Sequence, residues 1–394
     1  MVDKRVLPLA VGGLAIGTTE FTIMGLLPSI ADSLQVDIPT AGHLISAYAL
    51  GVVVGAPLFI LYSVKFPPKK VLMVLMGIFI LFNGLSIVAP NYTLMLLVRF
   101  LSGLPHGAFF GIGAVVASKL AAKGKEAQYI SIMFSGLTVA NLAMVPLVTY
   151  VGTHFHWRWY FAIVTFIGLL TLLFLYTWLP SMEGKEESNP LQELRFLKNN
   201  QTWMVLIITA IGFGGLFTWF SYISPLMTGI SGFKPENMTY IMALAGGGMV
   251  VGNLLGGYLS DKIGASKATT ILLALMMVSL LAVFFFSEDK TVSLLLTFIC
   301  GGLSMSTGSP LNIMLMKAAP GSEMMAAAFL QAAFNVANSA GAYLGGIPLT
   351  YGLGYNYPSL VGVFMALIGV MVGLRYMYKY DREKPARVKT IMVN

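Results

Sequence analysis

The sequence predicts an all-α integral membrane protein: twelve transmembrane helices in two pseudo-symmetric six-helix bundles. Three observations predict it. The 394 residues are 57% hydrophobic and 10% charged, whereas soluble domains carry about 25% charged residues, and a mean hydropathy of +0.81 leaves no polar coat for a soluble core. Twelve apolar runs come close to the ~20 residues that cross a bilayer's hydrocarbon. Short sequences also recur in the two halves at one fixed spacing.

In chain order, the first run, 7–31, is too long for a signal peptide and has no clear small-x-small cleavage site after it, so it reads as a span. Five more follow at 42–62, 71–89, 93–117, 128–151 and 158–179, with links short enough to make neighbours antiparallel. The segment 180–200, PSMEGKEESNPLQELRFLKNN, is polar, charged and central, and reads as a cytoplasmic linker. It divides an N-terminal bundle, 1–179, from a C-terminal bundle with a cytoplasmic tail, 201–394. The second set of spans is 201–223, 238–260, 268–286, 292–316, 324–351 and 358–377.

Basic residues collect on the cytoplasmic side of membrane proteins. With both termini inside, only Arg99, Arg158, Lys234 and Lys290 of the 24 Lys and Arg fall elsewhere. The net charge of +8 is then topology and attraction to anionic lipid, and implies no nucleic-acid partner.

TVAN at 138–141 and NVAN at 335–338 are 197 residues apart, as are VVG at 53–55 and VVG at 250–252. The first pair joins the fifth span to the eleventh, the second joins the second to the eighth. Parallel repeats about an axis along the membrane normal are a transporter architecture with its site between the repeats. Glycines four apart, as in Gly51/Gly55 and Gly248/Gly252/Gly256, let helices approach closely in lipid.

Several chemistries are excluded. A single cysteine, Cys300, allows no disulfide framework, and four histidines with no paired spacing give no metal site. No nucleophile–base pair or intact phosphate loop is present, so the chain does not read as an enzyme and needs no cofactor.

Glu20 is the exception among the acids. The other fifteen Asp and Glu lie in loops, tails or span ends. A charge at mid-bilayer costs about 2.5–3.5 kcal/mol on insertion scales, so a carboxyl there faces a wet cavity, has a partner, or takes up a proton. At ~1.5 Å per residue, Glu20 is roughly 16 Å from the outer end of its span, between Arg99 at roughly 9 Å and His106 at roughly 20 Å on one face of the fourth span. Glu20, Arg99 and His106 are the candidate proton-coupling cluster. At the 197 spacing they become Phe217, Leu296 and Leu303, so the cluster belongs to one half. Each also has a plain structural reading: a hydrogen-bonded acid, a helix-locking arginine, a satisfied interior histidine.

Gln331, Asn335 and Asn338 form a polar stripe on the eleventh span. With Asn141, Asn312, Trp219 and Tyr222 they are the candidate contacts for a neutral or weakly polar solute. Interhelical bonding is the competing role for the amides.

The motifs resemble a known family. GGYLSDKIGASK at 256–267 matches the major facilitator pattern G-x-L-A-D-R-x-G-R-K at Gly257, Leu259, Asp261, Lys262 and Gly264; its first-half copy is eroded, with Val64 opposite Asp261. LVRFLSGLPHGAFFG at 97–111 resembles the fourth-span motif, and GLTVANLAMVPLVTYVG at 136–152 the fifth-span antiporter motif, with Met144 and Val148 where glycines are expected. With EFTIMGLLPSIADSL and AGHLISAYALGVVVGAP, the chain is similar to the twelve-span drug:proton antiporter branch of the major facilitator superfamily, to members like the arabinose-efflux permeases.

The resemblance implies the major facilitator fold, with the first and fourth spans lining a central cavity. It implies a monomer in a bacterial inner membrane that exports a drug-like compound, sugar or similar metabolite in exchange for protons, the proton gradient supplying the energy. Gly257, Asp261, Lys262 and Gly264 would latch the inner gate. The two missing glycines keep a proton-coupled importer or a facilitator open as the alternative.

Overall fold

The computed structural model describes residues 3–63, 66–123, 125–182 and 194–381. Val64, the core of the expected linker (183–193) and the basic tail beyond Asp381 lie outside the described residues.

Among these, eleven segments are long and apolar enough to cross a membrane: α1 (Leu7–Gly25), α2 (Ile38–Tyr62), α3 (Pro68–Val88), α4 (Tyr92–Leu120), α5 (Gln128–His154), α6 (Arg158–Trp178), α7 (Asn200–Gly229), α8 (Pro235–Ile263), α9 (Ala265–Phe286), α10 (Lys290–Ala318) and α12 (Tyr357–Asp381). The helix between the last two, α11 (Glu323–Thr350), is 28 residues long. Its amides and small residues lower its hydropathy. A span packed against protein on several sides needs less apolar surface than one facing lipid.

The repeat is visible in the packing. α1 lies against α5 and α6, and α7 against α11 and α12; α2 pairs with α4 as α8 pairs with α10, and α3 with α6 as α9 with α12. α1 and α7 both break near their ends, at Leu26 and at Tyr222. Pro28 and Pro225 follow these breaks, 197 residues apart, and a proline that lacks an N–H interrupts the helical ladder. The first span therefore ends at Gly25 and resumes as a short helix, Leu27–Leu34, where the apolar run alone suggested one span over 7–31. Five-residue π-turns interrupt α5 at Ala140–Met144 and α7 at Ile208–Gly212.

Close helix crossings join the pairs. A Cβ on Gly51 or Gly55 would lie 2.0 Å from the carbonyl oxygen of Phe100 or Leu104 on α4; on Gly252 it would lie 1.8 Å from that of Gly302 on α10. These crossings correct the spacing for one helix pair. A Cβ on Gly103 would meet the Tyr48 carbonyl, and one on Gly301 the Ala245 carbonyl. Tyr48 and Ala245 are 197 apart, but Gly103 and Gly301 are 198 apart. The counterparts of Arg99 and His106 are thus Thr297 and Ser304, not Leu296 and Leu303. Their hydroxyls donate back to Ser293 and Gly301 on their own helix, so the charged residues still belong to one half.

Side chains close several helix ends. Arg158 donates to the carbonyls of Ile87 (2.8 Å) and Ala89 (2.7 Å) at the end of α3. Arg158→Ala leaves these carbonyls without a charged donor; hydrogen bonds to charged groups are worth about 1.5–3 kcal/mol. The expected result is a lower melting temperature in detergent with solute affinity unchanged. Before α1, Arg5 lies 2.6 Å from Asp3, and Tyr129 of α5 donates to the same carboxylate. Arg5 holds the Asp3 carboxyl at about 2. This tie is lost only as the pH falls towards that value.

Candidate functional site

α1 carries Glu20 into the region where the two halves meet. Glu20 is 8% exposed, and its Oε1 accepts from Asn338 Nδ2 of α11 at 3.2 Å. The carboxylate of one half is thus bonded to an amide of the other.

Beside it, Arg99 is completely buried. Its guanidinium donates to Thr19 Oγ1 at 3.2 Å and to the Thr19 carbonyl at 3.5 Å, and lies 4.3 Å from the centre of the Tyr48 ring. Among the described residues it forms no ion pair with Glu20 or any other acid. Arg99 and Glu20 meet through Thr19, which also donates to Asn83 Oδ1 at 2.7 Å and whose carbonyl accepts from Tyr160. His106 joins by Tyr48: its Nδ1 is 3.2 Å from the Tyr48 hydroxyl, while its Nε2 has no partner among the described residues. His106, Tyr48, Arg99 and Thr19 thus form one buried chain of contacts, and Glu20, the residue after Thr19, bonds Asn338.

Sequence reasoning missed Thr19, Tyr48, Asn83 and Tyr160. Asn83 gave a readable signal, as the one amide in the apolar third span. Threonines and tyrosines are too common in spans to stand out.

The candidate solute contacts divide. Asn335 and Asn338 are buried, and each keeps an Oδ1 without a partner among the described residues. Gln331 is half-buried one turn below Asn335, which donates to its carbonyl. Asn141 is buried, with its backbone carbonyl against Gly246 of α8. Trp219 is buried beside Phe220. Tyr222 is committed elsewhere: it donates to the Ala342 carbonyl at 2.8 Å, and its hydroxyl occupies the space that side chains on Gly42 and Gly346 would need. Asn312 is exposed and apart from the cluster.

Contacts between the halves gather at the end remote from the start of α1. Ser46 Oγ donates to the Ser339 carbonyl at 3.0 Å and Ser339 Oγ returns a bond to the Ser46 carbonyl at 3.2 Å. Phe21 faces Phe220, and His43 faces Tyr343. At the opposite end, Asp261 and Lys262 of the expected latch are exposed, without a hydrogen bond or ion pair among the described residues; Lys262 lies 5.6 Å from the Tyr258 ring. Gly264 makes the α8–α9 turn at φ 87°, a conformation open essentially to glycine alone.

The profile of the Major Facilitator Superfamily matches residues 9–328. The chain is 38% identical over 393 residues to AraJ of Escherichia coli (strain K12), covering 99% of this chain and all of AraJ. It is 37% identical over 387 residues to the inner membrane transport protein YdhP of the same strain, covering 98% of each. Its fold is similar to the crystal structure of a D-xylose–proton symporter, with a TM-score of 0.75 at 17% identity over 96% of this chain and 97% of that one.

Proposed function

The chain belongs to the major facilitator superfamily as a multi-pass secondary transporter, and on that premise we propose that it exports a small organic solute from a bacterial cytoplasm in exchange for protons, with Glu20 as the proton-binding carboxylate. The observation that carries this reading is the Glu20–Asn338 bond across the two halves. An ionised carboxylate accepts a charge-assisted hydrogen bond from the amide. A proton on Glu20 removes that charge and turns one acceptor oxygen into a donor. The protonation state of one residue in α1 thus biases the contact between the halves.

The exchange follows. With the remote end closed, solute enters from the cytoplasm and engages the amides of Asn335, Asn338 and Gln331, with Trp219 beside them, and its binding releases to the cytoplasm the proton that Glu20 carried in. Competition for Asn338 frees Glu20, the Ser46–Ser339 contact opens, and the Asp261–Lys262 latch closes the inner end. Outside, solute leaves, Glu20 takes up a proton, and the halves rock back. Arg99 is held one residue away by its bonds to Thr19. The homologue named as an inner membrane protein supports the location.

Proteoliposomes under an imposed pH gradient test the direction. Exchange makes an acid interior drive solute accumulation, whichever way the protein is inserted. Accumulation driven by an acid exterior instead would make the protein an importer.

A further inference from the structure

A cavity lies on the flank of the seam between the halves. Near the remote end, residues of α2 and α4 beyond their crossing at Gly51 and Phe100 line it, and Tyr343 of α11 closes one side. The resulting groove has a volume of ≈ 860 Å³. Ala47 and Leu50 of α2 face Leu94 and Leu97 of α4, Phe100 lies at the bottom, and Tyr343 of α11 forms the far edge. It opens sideways, and Leu50, Leu97 and Tyr343 are each about half exposed.

The polarity is graded along its length. Asn91, Thr93 and His43 stand at the rim, at the start of α4 and near the start of α2. Leu50 is seven residues below His43, about 10 Å at the rise of an α-helix. The polar atoms along the walls already have partners: Ser46 Oγ is bonded to Ser339, and His43 Nδ1 is 3.4 Å from the Tyr92 hydroxyl. An occupant below the rim finds no hydrogen-bonding group, so a polar solute there would leave its own groups unpaired. The surroundings at this depth of a spanning bundle are bilayer hydrocarbon.

We propose that this groove holds one acyl chain of a bilayer phospholipid, its headgroup at the His43–Asn91 rim. The site is independent of the proton chemistry at Glu20, but it touches the gate. Ser46 at its floor and Tyr343 at its edge belong to opposite halves, so the groove is complete only while the halves are apposed. A ligand that binds one arrangement shifts the population towards it; the lipid stabilises the closed remote end.

Native mass spectrometry of the full chain with 1-palmitoyl-2-oleoyl-phosphatidylethanolamine tests this. Wild type retains one lipid after detergent exchange. Leu97→Trp, from the α4 wall, and Ala47→Phe, from the α2 wall, fill the groove and weaken that binding at least tenfold. Leu85→Trp, on lipid-facing α3, leaves it unchanged. The proposal is overturned if wild type retains no lipid, if both filling variants that fold bind it as wild type does, or if Leu85→Trp loses it equally.

Discussion

Glu20→Gln is expected to abolish proton-driven transport while leaving solute binding intact. Glutamine keeps the shape of the side chain and an oxygen that accepts from Asn338, so the contact between residue 20 and Asn338 survives. It cannot take up or release a proton. Solute affinity, measured on purified protein across pH 5–8, becomes independent of pH, and a pH gradient no longer drives accumulation. Exchange of labelled for unlabelled solute, which needs no proton, continues. The neutral acceptor bond is weaker, since charge-assisted bonds are roughly twice as strong as neutral ones; the variant therefore opens its remote end more readily. Normal gradient-driven transport by Glu20→Gln would remove Glu20 from the mechanism.

The largest stability effect is expected at Gly252. Its added methyl would stand 1.8 Å from the Gly302 carbonyl oxygen, and backbone on both helices cannot step aside as a flexible side chain can. Gly252→Ala forces α8 and α10 apart. Overpacking of this kind costs about 1–3 kcal/mol, occasionally more, and here it also opens gaps along a long helix contact. Gly257, five residues on, is the control: a Cβ there would meet nothing within 4 Å. Gly257→Ala is expected to be neutral or to stabilise by up to ~1 kcal/mol, because alanine has less backbone freedom to lose. Melting temperatures of the two variants in one detergent, beside wild type, check both expectations.

What was legible in the sequence follows from which forces act locally. Span positions and glycine crossings are written into short stretches, and the structure places helices there. Glu20 was conspicuous because a carboxylate in an apolar run is costly wherever it points. Its partner was not: Asn338 was one of three amides on a stripe, and only the docking of α11 on α2 brings it to Glu20. Arg99 was placed in one cluster with Glu20, but its partners were not legible: its guanidinium bonds Thr19 and lies over the Tyr48 ring, because the helix crossing brings those groups nearest. The reciprocal Ser46–Ser339 bonds were illegible, since serines in spans usually bond their own helix. The one-residue shift between α4 and α10 was hidden because both sequence matches used to set the spacing lie on other helices.

The central claim is that solute and proton exchange at a site built on Glu20. Its most direct test is proton release on adding candidate solutes (sugars, purines, lipophilic cations) to weakly buffered, detergent-purified protein, wild type beside Glu20→Gln. The account predicts that a bound solute releases protons from wild type and none from the variant. A solute that binds wild type without releasing protons would contradict it.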